Sequence, residues 1–209
     1  MTYPVKTPFF YKLFFTKILW QGEGRNIYLT FDDGPDEDST ERLLAILARE
    51  KVSATFFCLG KQVEKHPYLF QRIKDAHHLI AHHSYSHLNG FNTSKKEYIS
   101  DVMKGAKMLD TNFFRPPYGK ITFAQYRALK KNNQKIVLWS VMPGDFDSNV
   151  ETKLLLQRMK KYLQEGVIYV LHDQKMTIGK LEIVLPEFIH WARKVGYKFS
   201  TLEQFKVEN

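Results

Sequence analysis

Asp32 and Asp33, His83 and His87, Arg115, Asp145, and His172 with Asp173 are the residues whose types and spacing could do chemistry. His83 and His87 are four apart, so on a helical turn their imidazoles project from one face and can share a metal ion. In a strand the same interval spans roughly 13 Å, too far for one ion. Asp33 can add a carboxylate oxygen. Two nitrogens and one oxygen leave a position for water, as catalytic zinc sites do. Neighbouring residues at a strand end point in different directions, so Asp32 can face that water and accept the proton it loses. An unperturbed histidine has its pKa near neutrality, so His172 is the candidate general acid, with Asp145 as the carboxylate that would raise its protonated fraction. Arg115 stands on backbone stiffened by Pro116 and Pro117 and is the candidate to orient Asp32. The blander readings are a solvated histidine pair and a turn at Asp32-Asp33-Gly34-Pro35, and that turn is compatible with a site. His78 and His82 are also four apart but straddle a predicted strand. With His77 they read as structural or solvated, His82 also having the option of a place behind the metal histidines.

The elements that must position these groups alternate. Short β-branched and aromatic runs predict strands at 26–31, 54–59, 78–81, 112–114, 135–139, 167–171 and 197–201. Helical patterns fall at 40–51, 68–76, 95–109, 122–131 and 181–195, with one more carrying Leu155, Met159, Tyr162 and Leu163. Asp38 with Glu41, and Ser148 with Glu151, have the spacing of capping boxes. Seven strands alternating with helices imply a mostly parallel α/β sheet, either doubly wound or closed into a barrel. In both, functional groups gather at the carboxyl ends of the strands. Each candidate group follows such an end, which is not how incidental polar residues distribute.

A chain of 209 residues with 44% hydrophobic and 25% charged residues suits one globular domain and excludes disordered, collagenous and coiled-coil classes. The net charge of +9 favours anionic partners. Its lysines, however, are scattered in short pairs such as Lys95–Lys96, Lys130–Lys131 and Lys160–Lys161, the pattern of a surface kept soluble, and no basic-aromatic motif marks a nucleic-acid binder. The lone Cys58 lies in an apolar run and reads as a buried, inert thiol. Residues 8–20 are rich in aromatics but interrupted by Lys12 and Lys17. They are too short and too interrupted for a membrane span of about 20 apolar residues, and without a clean apolar stretch before small residues they do not read as a secretory leader. They read as an arm packed on the domain, with an interfacial helix as the alternative.

Taken together, the motifs resemble the polysaccharide deacetylases, the fourth carbohydrate-esterase family (NodB-homology domain). Thr30-Phe31-Asp32-Asp33-Gly34-Pro35, His83-Ser84-Tyr85-Ser86-His87, Arg115-Pro116-Pro117-Tyr118-Gly119 and Val170-Leu171-His172-Asp173 occur in the family's order. The resemblance implies a single-domain distorted (β/α)7 barrel over 26–205, flanked by an arm at 1–25 and a tail at 206–209. It implies hydrolysis of acetyl groups from an N-acetylated glycan, one that is chitin-, peptidoglycan- or exopolysaccharide-like. By analogy Asp33, His83 and His87 bind one divalent ion, zinc first, with cobalt or nickel as alternatives. Asp32 is the base, His172 the acid held by Asp145, and Arg115 steers Asp32. The Tyr118 backbone N–H faces the oxyanion, while Phe146, Val170 and Pro116 line the substrate pocket. The sequence departs from the pattern at Met142 and Phe146, where an Asp and a Trp are usual, at Val170 for Leu, and at Ala81-His82 for Gly-Asn. These changes bear on substrate choice more than on chemistry. The alternatives are a glycan-binding pseudoenzyme, or a deacetylase of a small or lipid-linked amide. A monomer is expected. The family often works outside the membrane, whereas no export signal stands out here, so the compartment stays open.

Overall fold

The computed structural model describes residues 4–7 and 17–205. Most of the aromatic-rich N-terminal stretch, residues 8–16, and the tail at 206–209 lie outside the described residues. Seven parallel strands form the sheet: β1 (Asn26–Asp32), β2 (Thr55–Cys58), β3 (Leu79–His82), β4 (Phe113–Phe114), β5 (Lys135–Ile136), β6 (Val167–His172) and β7 (Lys198–Phe199). Their order is β5-β4-β3-β2-β1-β6, with β7 beside the start of β1. β1, β2 and β6 are near-continuous runs of apolar and β-branched residues because both faces are covered, as parallel sheets require. One face packs outward on the helices through Leu29, Phe31, Phe56, Tyr169 and Leu171. The other fills the interior with Tyr28, Phe57, Ala81, Phe113, Val137 and Ile168.

The sheet curls until its two ends meet. Beyond β5 the chain reaches β6 through a parallel bridge between Val141 and Tyr169. Below that bridge the gap is filled by the segment leading into β1. Leu19 pairs with Val137, and Gly22 and Gly24 exchange backbone hydrogen bonds with Gly166 at 2.6 and 2.7 Å. The result is the expected distorted (β/α)7 barrel.

The helices are α1 (Thr40–Glu50), α2 (Gly60–Lys65), α3 (Pro67–Asp75), α4 (Lys95–Leu109), α5 (Phe123–Lys131), α6 (Thr152–Lys161) and α7 (Lys175–Lys194). α1 buries Leu43, Leu44, Ile46 and Leu47, the face its spacing predicts. Neither expected capping box forms. α1 is preceded by Ser39, whose hydroxyl bonds Asp173, and Glu41 is drawn outward to Arg72 at 3.0 Å. α6 begins after Glu151, not at Ser148. A capping box does close the start of α5, between Thr122 and Gln125. The separate helix α2 was not expected; Pro67 begins a new helix after it because proline suits a first turn. α7 starts six residues before the predicted 181, its first turns disguised by Gly179, a weak helix former.

Candidate active site

All eight chemical residues converge at the carboxyl end of the barrel. Asp32 ends β1 and stands in sheet register with His172, which ends β6. Asp33 follows with φ 77°, a left-handed turn that sends its carboxylate away from Asp32 and toward His83 and His87. Asp33 Oδ1 lies 3.7 Å from His83 Nε2 and 3.4 Å from His87 Nε2. One ligand atom from each of the three lies within 4.8 Å of the others.

The two histidines do not sit on a helical turn, contrary to the expectation from their spacing. They bracket a loop after β3 in which Ser84 (φ 69°) and His87 (φ 62°) are both left-handed. This reversal brings the rings to 5.0 Å between centroids. The loop is held from two sides. Ser84 Oγ accepts the His87 N–H at 3.0 Å, and Asp101 on α4 accepts the N–H groups of Tyr85 and Ser86 at 3.2 and 3.1 Å.

These residues fit a divalent cation. Asp33 Oδ1 is buried without a hydrogen-bond partner, a costly state that a cation would relieve. His83 Nδ1–H donates to the Arg115 carbonyl at 2.7 Å, which fixes the tautomer and leaves the Nε2 lone pair facing Asp33. Burial first, then neighbouring positive groups, push the His83 pKa well down, so the ring is neutral and able to ligate. Gln174 Nε2 donates to Asp33 Oδ2 at 2.8 Å, holding the second oxygen aside. Neither Gln174 nor Asp101 carried a sequence signal, since each touches the site only after the chain has closed.

Asp32 is buried, and its Oδ1 accepts from Arg115 Nη1 at 2.6 Å. Arg115 is wholly enclosed, lying 4.0 Å over the Phe57 ring while its guanidinium also reaches Thr30 Oγ1 at 2.7 Å and the Leu138 carbonyl at 3.2 Å. Burial raises the Asp32 pKa to about 6 against the opposing pull of Arg115 and His172. At His172 the balance reverses. Burial would lower its pKa, but Asp145, with Asp33 and Asp32 behind it, carries it up to about 9. Asp145 accepts from His172 Nδ1 at 3.0 Å and from its backbone N–H at 2.7 Å, so one carboxylate fixes both ring and main chain. Asp173 is turned away to Ser39 and Thr40, anchoring the start of α1.

Two of the remaining candidates contact these groups. Phe146 stands edge-on to His172 at 5.0 Å, and the exposed Tyr118 ring meets His87 at 4.6 Å. Val170, two residues before His172, and Pro116 are buried. An open cavity of about 650 Å³ reaches Asp33 and His87 past Leu59, Gln62 and Met176. His82 is structural: buried, stacked on Phe114 and bonded through Nε2 to Gln134 at 2.8 Å. Cys58 is buried, with its pKa pushed well up by burial, as an inert thiol requires.

The polysaccharide deacetylase profile matches residues 21–139. A peptidoglycan-N-acetylglucosamine deacetylase of Bacillus cereus is 32% identical over 188 residues, covering 85% of this chain and 86% of its own. The peptidoglycan-N-acetylmuramic acid deacetylase PdaA of Bacillus subtilis is 29% identical over 194 residues, covering 88% and 72%. A crystal structure of a peptidoglycan N-acetylglucosamine deacetylase bound to a naphthyl N-hydroxybenzamide superposes with a TM-score of 0.88 at 29% identity, across 97% of this chain and 100% of the other.

Proposed function

The chain belongs to the polysaccharide deacetylase family, and from that premise we propose that it hydrolyses the acetamide of N-acetylated sugars in a glycan, peptidoglycan first among them. Family membership and the assembled site make it a metal-dependent hydrolase. The observation that carries the assignment is the buried, unpartnered Asp33 oxygen facing two imidazole nitrogens, with Asp32 and His172 side by side on adjacent strands.

Asp33, His83 and His87 would hold the ion; two nitrogens and an oxygen suit zinc, with cobalt and nickel as alternatives. Such an ion supplies Lewis acidity that makes water a nucleophile at neutral pH. Asp32, fixed by Arg115, takes the proton as water adds to the amide carbon. The Tyr118 backbone N–H faces the oxygen on which negative charge develops. His172, kept charged by Asp145, gives its proton to the nitrogen as the C–N bond breaks, so acetate and a free amine leave. Phe146, Val170 and Pro116 bound the space for the acetyl group and sugar. The catalytic unit is residues 26–205, with 1–25 an arm, part of which pairs with the barrel wall, and 206–209 a tail. We take the protein as a monomer acting outside the cytoplasm, where its peptidoglycan-directed relatives find substrate. No helix among the described residues is long and apolar enough to cross a membrane.

Acetate release from N-acetylglucosamine oligomers and from peptidoglycan, measured after chelation and again after zinc is restored, tests this reading. Removing the base with Asp32→Asn should cost at least about a hundredfold in kcat. Full activity in that variant, or silence across a broad glycan panel, overturns the assignment. Glycan binding without turnover, unaffected by His172→Ala, would mark a pseudoenzyme instead.

A further inference from the structure

Lysines scattered along the sequence are gathered by the fold at the end of the barrel opposite the metal residues. Lys130 and Lys131 close α5, and Lys135 opens β5 after a tight turn. Leu19 bridges Val137 in parallel register, so Lys17 and Lys135, each two residues upstream, come to the same level. Lys17 and Lys131 are exposed, while Lys130 and Lys135 are half-buried. Among the described residues none of the four joins an ion pair. Lys135 rests instead on the Phe113 ring, at 4.9 Å. Lys130 has its pKa lowered by burial and then by repulsion from Lys17 and Lys135, as expected for unneutralised charges held close together. A cluster of this kind carries a standing repulsion that an anionic partner would relieve.

The chain that runs into Lys17 says which anion. Residues 8–16 hold five aromatic residues, one lysine and no acidic residue. Aromatic side chains beside lysines suit the boundary between headgroups and acyl chains, whereas a soluble polyanion has no apolar phase to meet them. We propose that Lys17, Lys130, Lys131 and Lys135 form a docking surface for an anionic lipid bilayer. Bound this way, the protein turns the carboxyl end of its strands, with Asp33 and the histidines, away from the membrane and toward a glycan lying beyond it.

The test is co-sedimentation of the full chain with phosphatidylcholine vesicles, with and without phosphatidylglycerol. Binding should require the anionic lipid and fade as salt rises. The Lys130→Gln, Lys135→Gln double variant should bind roughly thirtyfold more weakly, yet release acetate from soluble oligomers at the wild-type rate. Lys95→Gln with Lys96→Gln, at the start of α4, should bind vesicles like the wild type and so control for loss of charge alone. Equal binding to both vesicle types, or undiminished binding by the Lys130/Lys135 variant, overturns the proposal. So does retention on soluble polyphosphate without vesicle binding, which would make the surface one for polyanionic polymers.

Discussion

Asp33 gives its two oxygens different surroundings, and a neighbour that no sequence motif announces maintains the difference. Oδ2 is tied to Gln174 at 2.8 Å, across 141 residues of chain, while Oδ1 faces the imidazoles. Without the Gln174 amide the carboxylate can rotate and must be reordered when a cation binds. Gln174→Ala should therefore bind zinc about tenfold more weakly in a chelator competition, with the fold unchanged by circular dichroism. Wild-type affinity would show the bond to be incidental. The candidate metal cluster was legible in the sequence, because Asp, His and His are residue types with few other reasons to meet at strand ends. Gln174 was not legible, since an amide can bond anywhere. Even so, the two histidines were read through the wrong local geometry. Four-residue spacing suggests a helical turn, whereas here left-handed Ser84 and His87 bring the rings together.

β3 ends on His82 and His83 is the first residue of the loop that follows, and these adjacent imidazoles have opposite fates. His83 turns to the site, and His82 is stacked on Phe114 in the core. Burial lowers the His82 pKa to about 4, against the partial support of Gln134. In the unfolded chain this ring takes its proton near 6.5, while the folded protein resists until about pH 4. Between those values the unfolded state binds more protons, so stability falls as pH falls. Above that window the ring is neutral in both states and has no effect. Urea unfolding of His82→Asn, which keeps a polar group near Gln134, should lose about 2 kcal/mol less than the wild type between pH 7 and pH 4.5. His78, also lowered to about 4 by burial, leaves part of the acid sensitivity in place. An unchanged acid loss in the variant would mean that His82 titrates freely in the fold. At this scale the sequence told strand from helix through apolar period and β-branched runs and set the start of α1 at Thr40, but misread its cap, because tertiary partners took the capping groups. Glu41 pairs with Arg72 and Ser39 with Asp173, and both contacts join residues far apart in sequence.

A barrel works as one body only if its wall is continuous, and here continuity depends on a segment with little sequence signal of its own. Alternation of strands and helices made the parallel sheet legible, but left open whether it is doubly wound or closed. Closure comes from residues 19–24 lying between the edge of β5 and the foot of β6. Gly166 is the joint, exchanging backbone hydrogen bonds with Gly22 and Gly24 at φ 64°, and any Cβ there would overlap the Gly22 carbonyl. Gly166→Ala must adopt a left-handed backbone and push the segment away. It should lose at least about 2 kcal/mol, seen as a fall of roughly 4–8 °C in Tm by calorimetry. Gly179 in α7 supplies the control. A Cβ there meets nothing within 4 Å, so Gly179→Ala should be neutral, or stabilising by up to about 1 kcal/mol. The same joint lies close below Ser140, whose hydroxyl accepts from Ile168 N–H at 3.2 Å just before β6 rises to His172. If the pairing positions the acid as well as sealing the wall, Gly166→Ala should lower acetate release at temperatures where it is still folded. A variant with the wild-type Tm would instead mean that the barrel tolerates a gap between β5 and β6.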